Sequence, residues 1–344
     1  MIGYVVRRLA IAVPTTFVAL LLAFVAIRAL PGNPILASYG QHAVSGQVEQ
    51  KMEELGWDKP LYHQFWTFLS GMVTRGDLGT SFLSDETVGQ GLRRTFPATI
   101  ELAFAALLIA IPLGIAAGVV AALWRNRWPD YLAMTGALLG VSVPVFFLGI
   151  CLMYLFSGAF SPMFPAMPYN QRLDVLIDFQ SSSNFIVIES LLRGRFDVFL
   201  SALKHLCLPA IALSSIPTAV IARMTRSCML EVLSADYVRT AKAKGASRLR
   251  TVMRHAFPNA SIPVVNIVGL QLGTLLSGAV LTETVFNWPG LGKHLVKAVL
   301  SGDYAVVQGA ILLIAIVFVL TNVVVDVMYV LLDPRIRLEQ RRNV

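Results

Sequence analysis

The amino-acid sequence predicts an all-α polytopic membrane protein with six transmembrane helices. The chain has 344 residues, of which 56% are hydrophobic and 14% charged, whereas a typical soluble domain is about 25% charged. Six runs are long and apolar enough to cross a hydrocarbon core of about 30 Å as helices. Basic residues concentrate on one side of these runs. This composition excludes a soluble domain and a disordered chain.

The six predicted spans are built on runs of residues without charged side chains. In chain order they cover residues 9–30, 99–123, 131–157, 204–222, 259–281 and 304–331. Arg7 and Arg8 precede the first run, as in a signal peptide, but the run is longer than a signal core and no small-x-small cleavage site follows it. The first run is therefore expected to remain in the protein as a helix.

The segments between the spans are expected to cap the helix bundle rather than to form domains of their own. Residues 31–97 and 158–203 form extracytoplasmic excursions, and residues 223–258 form a long cytoplasmic loop. In the first excursion, Val48 to Leu55 and Leu61 to Val73 have the pattern of short amphipathic helices. Residues 1–344 are therefore interpreted as one transmembrane domain.

The distribution of charge predicts the orientation. Six spans place both termini on the same face of the membrane. The segments on that face carry a net charge of +11, and those on the opposite face carry −2. Because basic residues accumulate on the cytoplasmic side, both termini and residues 223–258 are expected in the cytoplasm. The basic excess thus indicates membrane orientation and not a nucleic-acid partner.

The sequence contains no catalytic or metal-binding pattern. The segment Gly290 to His294 superficially suggests a phosphate loop, but it lacks the first glycine and the final Ser or Thr. The five histidines are far apart and have no metal-ligand spacing. The three cysteines, Cys151, Cys207 and Cys228, are scattered in apolar surroundings and are expected to be buried fillers. We therefore expect neither an enzyme nor a cofactor bound by this chain.

Polar or helix-breaking residues in or near the spans are the candidates for a transport path. The pore or gating candidates are Glu101, Pro144, Gln271, Glu283 and Asp326. Glu101 and Asp326 lie near span ends, where anchoring at the membrane interface is the competing interpretation. No relay of carboxylates or histidines occupies the middle of a span, which argues against an ion-coupled transporter.

Small residues and prolines predict how the spans pack and bend. Glycines four residues apart allow close helix approach, either within this chain or against a partner subunit; they are Gly114/Gly118, Gly136/Gly140 and Gly269/Gly273. Prolines remove backbone donors and allow kinks; those in or near spans are Pro112, Pro144, Pro217 and Pro263.

The cytoplasmic loop at residues 223–258 is the most informative segment. Its net charge is +6 between residues 223 and 257. Met224 to Lys244 contains no Gly or Pro and predicts one helix, which Gly245 ends. Ser247 is placed to cap a second short helix that ends before Pro258, where the fifth span begins. A lipid-facing basic segment and a docking element for a cytoplasmic partner are both compatible with this pattern.

The same loop resembles a known family. The segment Asp236 to Gly245, followed by Pro258, is similar to the cytoplasmic loop of ABC importer permeases. Ala241, Gly245 and Pro258 match the general consensus in register, whereas Arg239 and Thr240 depart from its Glu and Ala. The segment as a whole is similar to the form found in dipeptide and oligopeptide permeases. Further motifs extend the resemblance over nearly the whole chain: Arg7-Arg8-Leu9, Leu30 to Pro34, Gly76 to Gly79, Ala222 to Ser227, Leu281 to Gly292, and Asp333-Pro334-Arg335.

The resemblance implies a type I ABC importer permease fold in a bacterial cytoplasmic (inner) membrane. It implies three kinds of partner besides the lipid bilayer: a second homologous permease subunit, two cytoplasmic ABC ATPases, and an extracytoplasmic substrate-binding protein. ATP and Mg would be bound by the ATPases and not by this chain. The residues implied in ATPase coupling are Asp236, Tyr237, Arg239, Thr240, Ala241, Lys242, Ala243, Lys244, Gly245, Ala246, Arg248 and Pro258.

The implied cargo is a dipeptide or short oligopeptide. Nickel complexes, glutathione or another small solute remain alternatives, because look-alike systems carry them. An ion-coupled secondary transporter would need an inverted repeat and buried mid-span charges, and neither is visible in the sequence. A membrane scaffold whose basic loop binds anionic lipid is the remaining alternative.

Overall fold

A computed structural model describes residues 2–29, 45–54, 56–84, 86–159 and 166–332. The motifs Leu30 to Pro34 and Asp333 to Arg335 lie outside the described residues, as do parts of both excursions. The described part is helical apart from turns, irregular connections and an isolated bridge between Thr80 and Thr87. This agrees with the predicted all-α class.

The helices follow the chain in the order α1 (Ile2–Ala29), α2 (Ser45–Glu54), α3 (Leu61–Arg75), α4 (Val88–Leu123), α5 (Trp128–Ser142), α6 (Val145–Tyr154), α7 (Ile186–Leu192), α8 (Phe196–Ser234), α9 (Asp236–Ala243), α10 (Arg248–Arg250), α11 (Phe257–Gly278), α12 (Val280–Val285), α13 (Leu291–Leu300) and α14 (Tyr304–Leu332). Two π-helical segments are present in the described part: π1 (Leu155–Ala159) continues α6, and π2 (Thr251–Ala256) joins α10 to α11.

Helices α4 and α8 form the centre of the bundle. They have 36 and 39 residues, or about 54 and 58 Å at 1.5 Å per residue. Gly114 and Gly118 of α4 allow the close approach, because a Cβ at Gly118 would lie 2.5 Å from the Thr225 Cβ on α8. This glycine pair therefore packs within the chain. In contrast, a Cβ at Gly136 would meet nothing within 4 Å in the described part.

Both central helices are longer than the corresponding predicted spans. The predicted spans cover 99–123 and 204–222, whereas α4 begins at Val88 and α8 extends from Phe196 to Ser234. A search for uncharged residues stops at charged side chains, but a helix does not need to stop there when its end lies in water or at the interface. The extra turns carry α4 and α8 beyond the hydrocarbon.

The third predicted span is broken. Helices α5 and α6 meet at an angle of 101°, and Pro144 precedes the first residue of α6. Pro144 lacks a backbone donor and favours an extended residue before it, and Val143 has φ −83° and ψ 122°. Among the described residues, five helices are long and apolar enough to cross a membrane, and six spans result if the bent pair counts as one.

Helices α1 and α14 pair in antiparallel fashion along one side of the bundle. Arg8 near the start of α1 forms a 2.9 Å ion pair with Asp326 near the end of α14. At the other end, Arg28 of α1 donates to Gln308 of α14 over 3.1 Å. Helix α3 lies alongside α1, because the Phe65 ring contacts two α1 rings at centroid distances of 5.7 and 5.1 Å.

Candidate functional site

The loop at residues 223–258 folds into two pieces where the sequence suggested one helix. Helix α8 continues the fourth span to Ser234, and the chain turns at Ala235, which is extended with φ −70° and ψ 148°. Helix α9 then begins at Asp236. Val238 is fully buried, whereas Tyr237 is 45% exposed. The expected continuous helix from Met224 to Lys244 is therefore replaced by a span extension and a separate helix lying against the bundle.

The end of α9 has the predicted corner. Gly245 has φ +81°, a left-handed conformation that glycine adopts without steric cost. Ser247 caps the following turn, since its Oγ accepts from the Arg250 N–H over 3.4 Å. The predicted second short helix is not separate from the fifth span, because α10 is followed by π2 and π2 continues directly into α11. Pro258 is the second residue of α11 and contributes no backbone N–H at the junction with π2.

Side-chain hydrogen bonds tie this loop to two long helices. Asn259 Nδ2 on α11 donates to the Tyr237 hydroxyl over 3.0 Å. Arg248 donates to the Leu123 carbonyl at the end of α4 over 3.1 Å, and its guanidinium carbon lies 5.4 Å from the Trp124 ring centroid. The loop is therefore bonded directly to α4 and α11.

An ion pair joins α5 to α8 at the same end of the helix bundle. The Arg226 guanidinium on α8 donates to both carboxylate oxygens of Asp130 on α5, at 2.7 and 2.8 Å. Asp130 is 3% exposed, and one of its oxygens also accepts from the Asn126 N–H. Because a bidentate pair fixes orientation as well as distance, the loop-side ends of these helices form one connected unit.

The exposed face of the loop has the properties of a protein-binding surface. An open cavity of about 430 Å³ is formed largely by predicted coupling residues. Its lining residues are Tyr237, Thr240, Ala241, Lys244, Gly245, Ala246, Arg250 and His255. Beside it, Leu249 is 74% and Met253 56% exposed among basic side chains. The remaining predicted coupling residues, Asp236, Arg239, Lys242, Ala243, Arg248 and Pro258, are exposed around this surface.

Of the pore or gating candidates, Glu101 anchors the second excursion. Its carboxylate forms a 2.5 Å ion pair with Arg172 and accepts from the Val187 N–H over 2.8 Å. Both side chains of the ion pair are less than a tenth exposed. The Arg172 guanidinium also donates to the Asn184 carbonyl over 2.9 Å. Glu101 thus holds residues of the excursion against α4.

A second buried carboxylate, which no sequence motif indicated, stabilises the same excursion. Glu189 on α7 accepts from the hydroxyls of Ser181, Ser182 and Ser183, and from two of their N–H groups. The Ser181 hydroxyl and the other serine donors hold the pKa of Glu189 well below its usual range. In the sequence, the run of three serines shortly before a helix that contains Glu189 is the pattern that could have indicated this contact.

Glu283 organises the turn after the fifth span. It is fully buried, and its carboxylate accepts from the Thr99 hydroxyl over 2.6 Å and from the Lys293 N–H over 2.9 Å. A Cβ at Gly290 would collide with this carboxylate, so a larger residue there would displace the Glu283 side chain. Burial raises the pKa of Glu283 to about 7. Trp288 completes the contact by donating its indole N–H to the Ala98 carbonyl over 2.9 Å.

The other three pore or gating candidates lie in different parts of the helix bundle. Asp326 pairs with Arg8, as described above, and Pro144 lies at the break between α5 and α6. Gln271 is half-buried on α11. The described part of this chain therefore does not bring the five candidates together into one polar path.

A multi-pass helix bundle with an exposed, hydrogen-bonded loop on one face matches a defined class of protein. Residues 110–338 match the binding-protein-dependent transport system inner membrane component family, and residues 1–103 match the N-terminal region of such membrane components. The chain belongs to this family and is a polytopic all-α permease. It is a transport permease and not itself an enzyme.

Curated relatives match over nearly their whole length. The di/tripeptide transport system permease of Pseudomonas aeruginosa (strain UCBPP-PA14) is 48% identical over 338 residues, covering 98% of this chain and 99% of the relative. The dipeptide transport system permease of Escherichia coli K12 is 42% identical with the same coverage. A glutathione transport system permease of Escherichia coli (strain CFT073) is 40% identical over 98% of this chain and 99% of its own length.

Proposed function

We propose that this chain is the pore-forming permease subunit of an ATP-driven importer for dipeptides and short oligopeptides in a bacterial inner membrane. The docking surface between residues 236 and 258 carries the proposal, because it is exposed, basic and bonded to the long helices. The charge distribution supports a cytoplasmic location for this surface and for both termini. The partners are a second homologous permease, two cytoplasmic ABC ATPases and an extracytoplasmic binding protein.

The hydrogen bonds of the loop suggest how ATP binding and hydrolysis change the conformation of the pore. The ATPases bind ATP and Mg, and their closure draws the docked α9 helices of the two permeases together. The Tyr237–Asn259 and Arg248–Leu123 hydrogen bonds then transmit that displacement to α11 and α4. The spans move from an inward-open to an outward-open arrangement, and the binding protein delivers its cargo. ATP hydrolysis returns the pore to the inward-open state.

The names of the most similar relatives support peptide cargo. Two of them are di/tripeptide and dipeptide permeases at 48% and 42% identity. Glutathione is itself a short peptide, and the 40% identical glutathione permease supports it as a second candidate. Nickel complexes have no comparable support among the relatives described above.

An uptake experiment tests both the machinery and the cargo. Cells lacking this chain would be complemented with the wild-type chain or with Gly245→Trp, and accumulation of radiolabelled dialanine would be measured. We expect uptake only with the wild-type chain and competition by unlabelled dipeptides. Uptake of labelled glutathione without uptake of dialanine would favour the second cargo. Equal dialanine uptake with and without the chain would contradict the proposed function.

A further inference from the structure

A cavity opposite the coupling loop has no role in the proposed coupling. It measures about 310 Å³ and opens between the end of α1, the connection before α3, α3 itself and the start of α14. Arg28, Gln64 and Gln308 line it together with the rings of Trp57 and Tyr304. The two rings stack at a centroid distance of 6.5 Å. The cavity is thus built from ordered contacts between separate segments of the chain.

Arg28 contributes a positive charge to this cavity. Its Nε donates to the Gln64 Oε1 over 2.8 Å, and its NH1 donates to the Gln308 Oε1 over 3.1 Å. Its guanidinium carbon lies 3.4 Å from the Phe24 ring centroid and 4.8 Å from that of Trp57. Among the described residues no carboxylate forms an ion pair with it. A half-buried guanidinium with neutral neighbours attracts an anion.

Gln308 provides a second, independent observation. It is only 5% exposed, and its Nε2 has no hydrogen-bond partner within the described part of the chain. The amide orientation is set by Arg28, which donates to the oxygen of the same group. An unpaired buried donor is costly, so both Gln308 and Arg28 favour a ligand that accepts hydrogen bonds. Lys59 and Arg75 add positive charge to the lining.

The surroundings of α3 place this cavity at the surface of the bilayer. One side of α3 contacts α1 through Phe65. Its outward residues Tyr62, Trp66 and Val73 are 76%, 69% and 72% exposed, and their spacing places them on one helix face. Tyr and Trp are enriched at the membrane–water interface. An amphipathic helix with such a face lies in the plane of the headgroups.

We propose that this cavity binds the phosphate of a phospholipid headgroup. Arg28 and the Gln308 amide donate to the phosphate oxygens, and the acyl chains lie along the exposed apolar faces of α1 and α3. Glu53 and Asp77, which also line the cavity, provide carboxylates for the ammonium of phosphatidylethanolamine. The site lies in the leaflet opposite the coupling loop, which is the outer leaflet in the proposed orientation. Inorganic phosphate and a peptide carboxylate share this oxyanion chemistry, and the experiment separates them.

The test uses the purified transporter complex in detergent, with lipid retention followed by native mass spectrometry and ligand-dependent stability by thermal unfolding. Short-chain phosphatidylethanolamine is titrated, and the matching diacylglycerol, which lacks the phosphate, is the control ligand. We expect the phospholipid, but not the diacylglycerol, to remain bound and to raise the unfolding temperature. Arg28→Gln should weaken the apparent affinity about tenfold or more, as expected for a lost charge-assisted hydrogen bond.

Matched variants separate lost binding from lost folding. Lys59→Gln alters an exposed cavity residue and should weaken phospholipid binding severalfold without changing the ligand-free unfolding temperature. Arg94→Gln removes an arginine on the same face that pairs with Glu86 at 3.0 Å, and it should leave phospholipid binding unchanged.

Three results would overturn the lipid assignment. The first is equal phospholipid affinity of the wild type and Arg28→Gln, together with an unchanged affinity of Lys59→Gln. The second is an Arg28-dependent stabilisation by inorganic phosphate that added phospholipid does not displace. The third is the same Arg28-dependent effect from dialanine alone, which would make the cavity a peptide site. None of these readouts depends on uptake, so they leave the proposed function to its own test.

Discussion

Gly245 has a backbone conformation that favours glycine, although its surroundings leave room for a side chain. Its φ of +81° favours glycine, yet a Cβ built on it would meet nothing within 4 Å. Non-glycine residues other than Asn and Asp pay about 1–2 kcal/mol in this region of backbone space. Any larger effect of a side chain at this position must therefore come from what docks against the loop.

We predict that Gly245→Trp leaves the permease in the membrane but abolishes both uptake and substrate-stimulated ATPase activity. The indole would project into the surface that the ATPase is proposed to contact. Gly245→Asn is the matched control, because Asn tolerates the left-handed conformation and is small. It should retain most of the coupled activity in proteoliposomes. Normal stimulated ATPase activity and uptake with Gly245→Trp would contradict the docking assignment.

The buried carboxylate of Glu283 predicts a pH-dependent stability. Burial raises its pKa from 4.5 to about 7, so the folded protein retains a proton that the unfolded chain releases. The stabilisation that this proton provides is complete below about pH 4.5. It is lost as the pH rises towards about 7, which lowers the free energy of unfolding by up to about 3 kcal/mol. The unfolding temperature of the purified complex should therefore fall over this range. Glu283→Gln should flatten the fall, and an unchanged pH profile would contradict the prediction.

At the scale of elements, single side chains join structures that are distant in sequence. Glu101 on α4 and Arg172 in the second excursion are 71 residues apart, yet both are almost completely buried. Removing one partner of a buried pair leaves an uncompensated charge, which typically costs about 3–5 kcal/mol. Replacing both partners with apolar residues of similar size removes that charge.

We therefore predict that Glu101→Leu or Arg172→Met alone lowers the stability of the complex by about 3–5 kcal/mol, whereas the double variant recovers much of the loss. Limited proteolysis of residues 166–185 provides the local readout, since either single variant should release the excursion from α4. Additive losses in the double variant would show that the two charges do not stabilise each other.

The contact between α9 and α11 leads to a prediction about how the ATPase-driven displacement of α9 reaches the fifth span. Tyr237→Phe removes the hydroxyl that accepts from Asn259 and keeps the ring. The loss of one hydrogen bond costs only about 0.5–1.5 kcal/mol, so folding and ATPase binding should be preserved. We expect less transport per ATP hydrolysed in proteoliposomes. Ser234→Ala, which removes a hydroxyl that donates to the Glu231 carbonyl within α8, is the control and should keep the wild-type ratio.

At the scale of the whole molecule, the sequence predicts some features much better than others. Local chemistry allowed the Gly245 corner and the Ser247 cap to be predicted, because each depends on neighbouring residues. The lengths of α4 and α8 were underestimated, since a hydropathy criterion detects the hydrocarbon segment and not the helix. The Glu101–Arg172 pair could not be predicted, because Arg172 lies in an irregular segment whose position depends on the complete fold.

The orientation rests on summed charge over the whole chain, and it predicts opposite accessibility for two exposed leucines. Leu249 beside the coupling surface is 74% exposed and Leu176 in the second excursion is 92% exposed. In a background with Cys151, Cys207 and Cys228 replaced, Leu176→Cys should react with an impermeant maleimide in intact cells. Leu249→Cys should react only in inside-out vesicles, and co-expressed ATPases should protect it. Labelling of Leu249→Cys in intact cells would reverse the orientation, and unprotected labelling would remove Leu249 from the docking surface.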